Sequence, residues 1–322
     1  MTQAQQVETV RAADTSFLLR SWGSKGPGTP ALLLHGVPQT ATCWAQVAPR
    51  LADGRRVLAP DLPGLGGSAF SGPFDVPTLV RQLAALVERE VPGGVVDVVG
   101  HDWGGSLALA LAGARPELVR RLVVVNAPYR QVPLLRAAYI PLFALPVLPE
   151  LLLRLGGRRA VDLMLDLPWR AAHQLDPVSR SEYTAAYTRP ASVAAMLGYY
   201  RGVARPRAAA LLRGRRSAAS VPRSRISVER ALVLWGALDP VLPVRIGEAV
   251  VRDLGADCVM VTVPGAGHFL PEEAPQVVLD VLRDVLADVT TPEPEVTAAP
   301  PERPGRQGEP IEAPPGAPVE PA

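Results

Sequence analysis

The chain has 322 residues, and 48% of them are hydrophobic, which supports a sizeable core and excludes a wholly disordered protein. The 33 lysines and arginines nearly balance the 31 aspartates and glutamates, so a net charge of +2 predicts no overall basic surface for nucleic acid. Two cysteines provide neither a disulfide framework nor a thiolate metal site, and neither a metal nor a cofactor is expected.

Short apolar segments alternate with helical patterns along most of the chain. The first two segments, 7–12 and 16–22, predict an antiparallel hairpin. Six further segments predict buried strands at 31–35, 56–59, 95–99, 122–125, 231–235 and 258–263. Helical patterns lie at 43–52, 76–90, 106–114, 244–254 and 271–286. This alternation predicts an α/β fold with a mostly parallel central sheet and helices on both faces.

Two regions interrupt the alternation and define the predicted domains. Between 129 and 228 the pattern is helical and too long for a simple crossover, which predicts an inserted helical lid between core segments 1–128 and 229–290. The tail, 291–322, has ten prolines, six glutamates and no aromatic residue, and is predicted to be disordered. Its two arginines leave it a charge of −4, so the remaining chain carries +6.

Targeting signals are not apparent in the sequence. Residues 1–14 contain no apolar run of the kind that a signal peptide requires. No stretch reaches the roughly 18 uninterrupted apolar residues of a membrane-spanning helix. The sequence therefore predicts a cytoplasmic protein without a membrane partner, and it does not indicate an oligomeric state.

The segment 98–105, VVGHDWGG, has the glycine–nucleophile–glycine spacing of a nucleophile elbow, with Asp102 at its centre. Such a turn follows a buried strand and exposes the central side chain at the carboxyl end of the sheet, beside a helix N-terminus. Aspartate is ionised near neutral pH and suits attack on a saturated carbon that bears a leaving group. The product of that attack is an ester, which water must then hydrolyse.

Two later residues fit the hydrolytic step. Asp239 follows the strand at 231–235, and His268 follows the strand at 258–263, in the chain order nucleophile, acid, histidine. His268 is predicted to take a proton from water, while Asp239 orients its imidazole and stabilises the cation.

Hydrolysis of the ester develops negative charge on the Asp102 carboxyl, which requires backbone N–H donors. Trp103 follows the nucleophile and provides one predicted donor. The loop His35-Gly36-Val37-Pro38 follows a strand, and the Val37 N–H is the second predicted donor. Pro38 is a candidate for a cis peptide bond.

Together the motifs HGVP, GHDWGG, WGALDP and GAGHF resemble the α/β-hydrolase fold superfamily and, within it, the epoxide hydrolase family over 31–286. The resemblance implies a cofactor-independent hydrolase that converts a small-molecule epoxide to a vicinal diol. It also implies two lid tyrosines that bind the epoxide oxygen and protonate it. The segment YIPLFALP assigns Tyr139 to this role, and the triplet YYR assigns Tyr200.

Other activities use part of the same pattern. A haloalkane dehalogenase shares Asp102, Asp239 and His268, and Trp103 provides one halide donor, but Val37 has no side-chain donor for the second. A serine esterase is disfavoured because Ser106 lies four residues beyond the centre of the elbow. A non-catalytic binding protein of the same fold remains an alternative, although such proteins usually lack part of the triad.

Overall fold

The computed structural model describes residues 4–24, 26–129, 139–212, 226–255 and 257–287. Side chains of Tyr139 and of residues 207–212 are also outside the description. The predicted tail, 291–322, lies outside the described residues, as do parts of the predicted lid. The compact unit that contains the described residues spans Met1–Asp288.

One sheet of eight strands lies in the described part of the chain, in the order β1-β2-β4-β3-β5-β6-β7-β8. The strands are β1 (Gln6–Ala12), β2 (Thr15–Trp22), β3 (Ala31–Leu34), β4 (Val57–Pro60), β5 (Val96–His101), β6 (Val119–Val125), β7 (Arg230–Gly236) and β8 (Val259–Val263). Strands β1 and β2 pair antiparallel, β2 also pairs antiparallel with β4, and the remaining pairings are parallel. The predicted hairpin and the mostly parallel sheet are therefore confirmed.

The central strands are apolar because both faces of the sheet are covered. Every residue of β3, β4 and β5 is buried, without the alternation of a half-exposed strand. Leu32 pairs with Leu58 on one side and with Val98 on the other. Parallel pairing brings the carboxyl ends of β5, β7 and β8 to the same edge of the sheet, where the predicted site residues follow them.

Helices flank and connect the strands. They are α1 (Ala48–Leu51), α2 (Val76–Glu90), α3 (Trp103–Ala114), α4 (Tyr139–Ala144), α5 (Leu148–Asp166), α6 (Pro177–Tyr187), α7 (Pro190–Leu212), α8 (Val244–Leu254), α9 (Leu270–Glu273) and α10 (Pro275–Val285). The predictions at 76–90 and 244–254 agree with α2 and α8, and α3 begins three residues earlier than predicted.

Two predicted helices are broken. In place of the helix predicted at 43–52, the structure has a short 3-10 turn (Ala41–Trp44) and the single helical turn α1. Pro49 lies at the start of α1, and because it has no N–H it cannot continue a preceding helix. The region 271–286 is divided into α9 and α10 at Ala274, whose φ of −142° is not helical. Pro275 follows directly and disfavours helical backbone at the residue before it.

Helices α4 to α7 lie between β6 and β7 in the chain and are called the inserted helices below. They agree with the helical pattern of the predicted lid, whereas its boundaries at 129 and 228 stay a prediction. Within the described ranges, no helix is both long enough and apolar enough to cross a membrane.

Candidate active site

Asp102 lies in the tight turn between β5 and α3, with a φ of 50° that is unusual for a residue with a side chain. The turn requires glycine on both sides. A Cβ atom at Gly100 would lie 2.4 Å from the Gly104 carbonyl oxygen, and one at Gly104 would lie 2.4 Å from the Leu34 carbonyl oxygen. The predicted elbow is therefore present, and it directs the carboxylate of Asp102 toward the carboxyl edge of the sheet.

The loop after β3 touches this carboxylate. The Val37 N–H donates to Asp102 Oδ1 at 3.0 Å, and the Val37–Pro38 peptide bond is cis, as the sequence suggested. Gly36 makes the approach possible, because a Cβ atom there would lie 2.5 Å from Asp102 Cβ. One carboxylate oxygen is thus held by backbone before any substrate arrives.

His35 fixes the shape of the same loop. Its Nδ1–H donates to the Gly36 carbonyl at 2.8 Å, and its Nε2 accepts the Leu62 N–H at 2.9 Å. An imidazole that donates with one nitrogen and accepts with the other is neutral. Burial lowers the pKa of His35, which agrees with that form. His35 therefore joins the loop to the segment that follows β4.

The second predicted donor belongs to Trp103, the first residue of α3. The first N–H groups of a helix have no acceptor inside the helix, so this donor is available to a negative charge on Asp102.

His268 and Asp239 meet Asp102 at the sheet edge. Asp239 Oδ2 accepts the Nδ1–H of His268 at 2.8 Å, which fixes the tautomer because a carboxylate can only accept. The opposite nitrogen, Nε2, faces Asp102 Oδ2 at 3.5 Å, a looser contact than an ordinary hydrogen bond. All three residues are at most 8% exposed. The structure therefore brings the three predicted residues together at the carboxyl edge of the sheet.

Charge dominates the acid–base properties of this group. Burial opposes the charged form of His268, but Asp239 and Asp102 outweigh it and raise the pKa of His268 to about 10. Burial also opposes ionisation of Asp102, yet its contact with His268 and the Val37 N–H lower the pKa of Asp102 below its usual value. The pKa of Asp239 is lowered in the same way, again against burial, mainly by His268.

Asn126 is a contact residue that the sequence analysis missed. It follows β6 at the same edge of the sheet, and its Nδ2 donates to Asp239 Oδ2 at 2.6 Å. Its Oδ1 accepts the N–H of Gly236 at 3.2 Å, and its φ is 42°. Its position directly after a buried parallel strand is the signal that could have identified it.

Glu273 is a second missed residue. Its buried carboxylate accepts four backbone N–H groups, from Gly267 at 2.8 Å, Phe269 at 2.9 Å, Arg170 at 3.0 Å and Ala171 at 2.9 Å. The first two flank His268, and the last two belong to the segment between α5 and α6. Glu273 therefore ties the histidine loop to the inserted helices. The one signal in the sequence that could have identified Glu273 is its position five residues after His268.

His101 holds the histidine loop from the other side. Its Nε2–H donates to the His268 carbonyl at 2.7 Å and so ties the elbow to the loop that carries His268. Burial, together with the charge of His268, lowers the pKa of His101 to about 4, so it is neutral near pH 7.

Of the two predicted tyrosines, the structure describes the side chain of Tyr200 but not that of Tyr139. Tyr200 on α7 is 6% exposed, and its ring centroid lies 5.2 Å from that of Trp103, next to the nucleophile. Phe143 on α4 contacts the ring of Tyr200 at the same centroid distance. Tyr139 begins α4, but its side chain lies outside the described part of the structure. The structure thus brings Tyr200 beside the elbow and leaves the Tyr139 side chain as a prediction.

A sequence profile of the alpha/beta hydrolase family matches residues 31–281. The chain belongs to the alpha/beta hydrolase family. Within this family the chain is 31% identical over 274 residues to the AB hydrolase superfamily protein YfhM of Bacillus subtilis, with 80% of this chain and 90% of that protein covered. It is 29% identical over 280 residues to epoxide hydrolase 3 of Xenopus tropicalis, with 80% and 71% covered.

Solved alpha/beta hydrolase structures agree with the fold. A putative epoxide hydrolase from Pseudomonas aeruginosa superposes with a TM-score of 0.70 at 26% identity. The alignment covers 88% of this chain and 98% of that one. The predicted resemblance to the superfamily and to proteins named epoxide hydrolases is therefore confirmed.

Proposed function

We propose that the chain is an epoxide hydrolase, which converts an epoxide to a vicinal diol through an ester on Asp102. One observation carries the proposal: the elbow presents an ionised carboxylate, with one oxygen held by the Val37 N–H and the other facing His268. A serine hydrolase needs a hydroxyl at this position, whereas a carboxylate forms an ester directly with a saturated carbon. The names of relatives and of structural neighbours support the same reaction.

In the first step, Asp102 Oδ2 attacks one ring carbon of the epoxide. The new bond joins Oδ2 to that carbon, the carbon–oxygen bond of the ring breaks, and its electron pair stays on the oxygen. A tyrosine hydroxyl hydrogen-bonded to this oxygen protonates it and lowers the barrier. Tyr200 and Tyr139 are proposed for this role, and the contact of Tyr200 with Trp103 is compatible with it.

In the second step, His268 accepts a proton from water while the water oxygen attacks Cγ of Asp102. Asp239 keeps the imidazole in the tautomer that leaves Nε2 free to accept. Oδ1 becomes the ester carbonyl oxygen and then the oxyanion, for which the Val37 and Trp103 N–H groups are the proposed donors. When the bond between Cγ and Oδ2 breaks, Oδ2 leaves with the diol and takes the proton that His268 accepted from water. The second proton of that water returns to the tyrosine, and the carboxylate of Asp102 is regenerated with the water oxygen in it.

A single turnover in heavy-oxygen water tests the covalent route. Water enters the carboxyl of Asp102 in this mechanism, so the first turnover labels the protein and leaves the diol unlabelled. Mass spectrometry of the peptide that contains Asp102 measures the incorporation. Label that appears in the diol during the first turnover contradicts the proposal.

Trapping the ester provides an independent test. Because His268→Gln removes the base of the second step, the variant is expected to gain the mass of one epoxide molecule and to release no diol. The matched control is Asp102→Ala, which cannot form the ester and is expected to gain no mass. Aryl, alkyl and haloalkyl substrates are scored for diol and for halide, and release of halide without diol would favour dehalogenation instead.

A further inference from the structure

The inserted helices turn an apolar surface outward. Helix α5 exposes Leu148, Leu151, Leu152 and Leu155 by 44%, 48%, 47% and 76%. Their spacing of three, four and seven residues places them on one face of the helix. Leu145 and Val147, just before α5, are exposed by 46% and 73% and extend this surface. These six residues are called the outward apolar face.

The orientation of this face is fixed by contacts on other sides of α5. Arg201 of α7 donates from Nη1 and Nη2 to the two carboxylate oxygens of Glu150, at 2.6 and 2.9 Å. Pro149, between Leu148 and Glu150, is buried. At Gly157 the backbone is not helical, with a φ of 49°, and this break separates the exposed leucines from the buried Val161 and Leu165. The leucines therefore face outward while the first part of α5 is anchored by a bidentate ion pair and by Pro149.

The charges along α5 are unbalanced. Glu150 pairs with Arg201 of α7, and Asp162 and Asp166 pair with Arg180 of α6. Asp162 also lies 3.9 Å from Arg158 of α5 itself. Arg154 and Arg159 are exposed, and no carboxylate among the described residues pairs with them. Uncompensated arginines thus accompany the outward apolar face.

We propose that the outward apolar face, together with Arg154 and Arg159, docks on an anionic lipid surface. Amphipathic helices that lie in a membrane interface combine exposed leucines with arginines that attract anionic headgroups. The proposal departs from the expectation that this protein has no membrane partner. It concerns contact with a surface and not a membrane span, and it does not depend on the proposed reaction.

A second copy of the chain fits this face less well. A symmetric dimer uses one patch twice, so an interface on this face would contain Arg154 and Arg159 of both copies and gather four positive charges. An anionic surface instead provides charges of the opposite sign.

Co-sedimentation of the full chain with vesicles tests the proposal. We expect binding to phosphatidylglycerol vesicles, much weaker binding to phosphatidylcholine vesicles, and loss of binding as salt is added. Leu151→Glu with Leu155→Glu should weaken binding at least about tenfold, because two leucines that lipid would bury become charged. Replacing Arg154 and Arg159 with alanine should weaken binding about fivefold for each arginine.

Val277→Glu is the matched control, since Val277 is an exposed apolar residue on α10, away from the inserted helices. It should bind as the unchanged protein does, and circular dichroism checks that all variants are folded. Failure of the full chain to bind phosphatidylglycerol vesicles overturns the proposal, as does binding that the leucine changes leave intact. A dimer in light scattering that the leucine changes dissociate would assign the face to a second copy instead.

Discussion

The sheet edge and the inserted helices hold their candidate residues by different means. At the sheet edge, both oxygens of Asp239 are fully engaged: Oδ1 accepts the N–H groups of Val241 and Leu242, and Oδ2 accepts from Asn126 and His268. In the inserted helices, Tyr200 lies between the rings of Trp103 and Phe143. The hydrogen bonds of Asp239 fix the position of each carboxylate oxygen, and the rings of Trp103 and Phe143 form the surroundings of the Tyr200 ring. We therefore expect changes at the edge to affect the chemical steps more severely.

The largest effect is expected from Asp239→Asn. An amide in place of the carboxylate removes the charge that favours protonated His268 and disturbs its tautomer, so hydrolysis of the ester should slow by about 10⁴-fold. Rapid-quench measurements separate this step from formation of the ester, which should change far less. Asp284→Asn, an exposed change on α10, is the control. Equal slowing of both steps would contradict the assignment of Asp239 to hydrolysis.

A smaller effect, on the other step, is expected from Tyr200→Phe. Loss of one proton donor should slow formation of the ester by about 10²-fold or more and leave its hydrolysis unchanged. Tyr199→Phe is a closely matched control, because the Tyr199 hydroxyl donates to the Pro63 carbonyl at 3.0 Å. That control should lose some stability but keep its rate of ester formation. If the two variants behave alike, Tyr200 contributes packing and not acid catalysis.

The last prediction concerns stability and not a rate, and it involves Glu272, which connects the two regions. Its buried carboxylate accepts from Tyr183 of α6 at 2.9 Å and from Gln39, near the oxyanion loop, at 2.5 Å. Burial raises the pKa of Glu272 from 4.5 to about 7. A raised pKa favours the folded state below pH 4.5, and this contribution is lost as pH rises to about 7. The loss amounts to at most about 3 kcal/mol.

Urea unfolding of the intact protein and of Glu272→Gln across this pH range measures the contribution. The variant has no group to titrate at this position, so its free energy of unfolding should fall less with rising pH. Glu248→Gln, an exposed change on α8, should reproduce the pH dependence of the unchanged protein. If the free energy of unfolding of Glu272→Gln falls with pH as steeply as that of the unchanged protein, the Glu272 carboxyl does not cause the pH dependence.

The sequence predicted the parts of the fold that depend on local patterns. Apolar runs located all eight strands, and the elbow motif located Asp102, because a strained turn restricts which residues can stand at each position. The breaks beside Pro49 and Pro275 could have been recognised from the same chain, since proline interrupts a helical pattern.

Contacts between segments that are distant in the chain could not be predicted from the sequence alone. Asn126 reaches Asp239 only because parallel pairing places β6 beside β7, and Glu273 reaches residues of the segment between α5 and α6 only in the folded chain. The outward direction of Leu151 and Leu155 likewise depends on how α5 packs, because periodicity identifies an apolar face without indicating what it meets.

The raised pKa of His268 has a consequence for the timing of the proposed reaction. While Asp102 and Asp239 are both ionised, the pKa of about 10 keeps the imidazole protonated near pH 7, and it cannot accept a proton from water. Formation of the ester neutralises Asp102, removes one of the two charges, and lowers the pKa. The first step therefore shifts His268 toward the neutral imidazole, the form that can accept a proton from water in the second step.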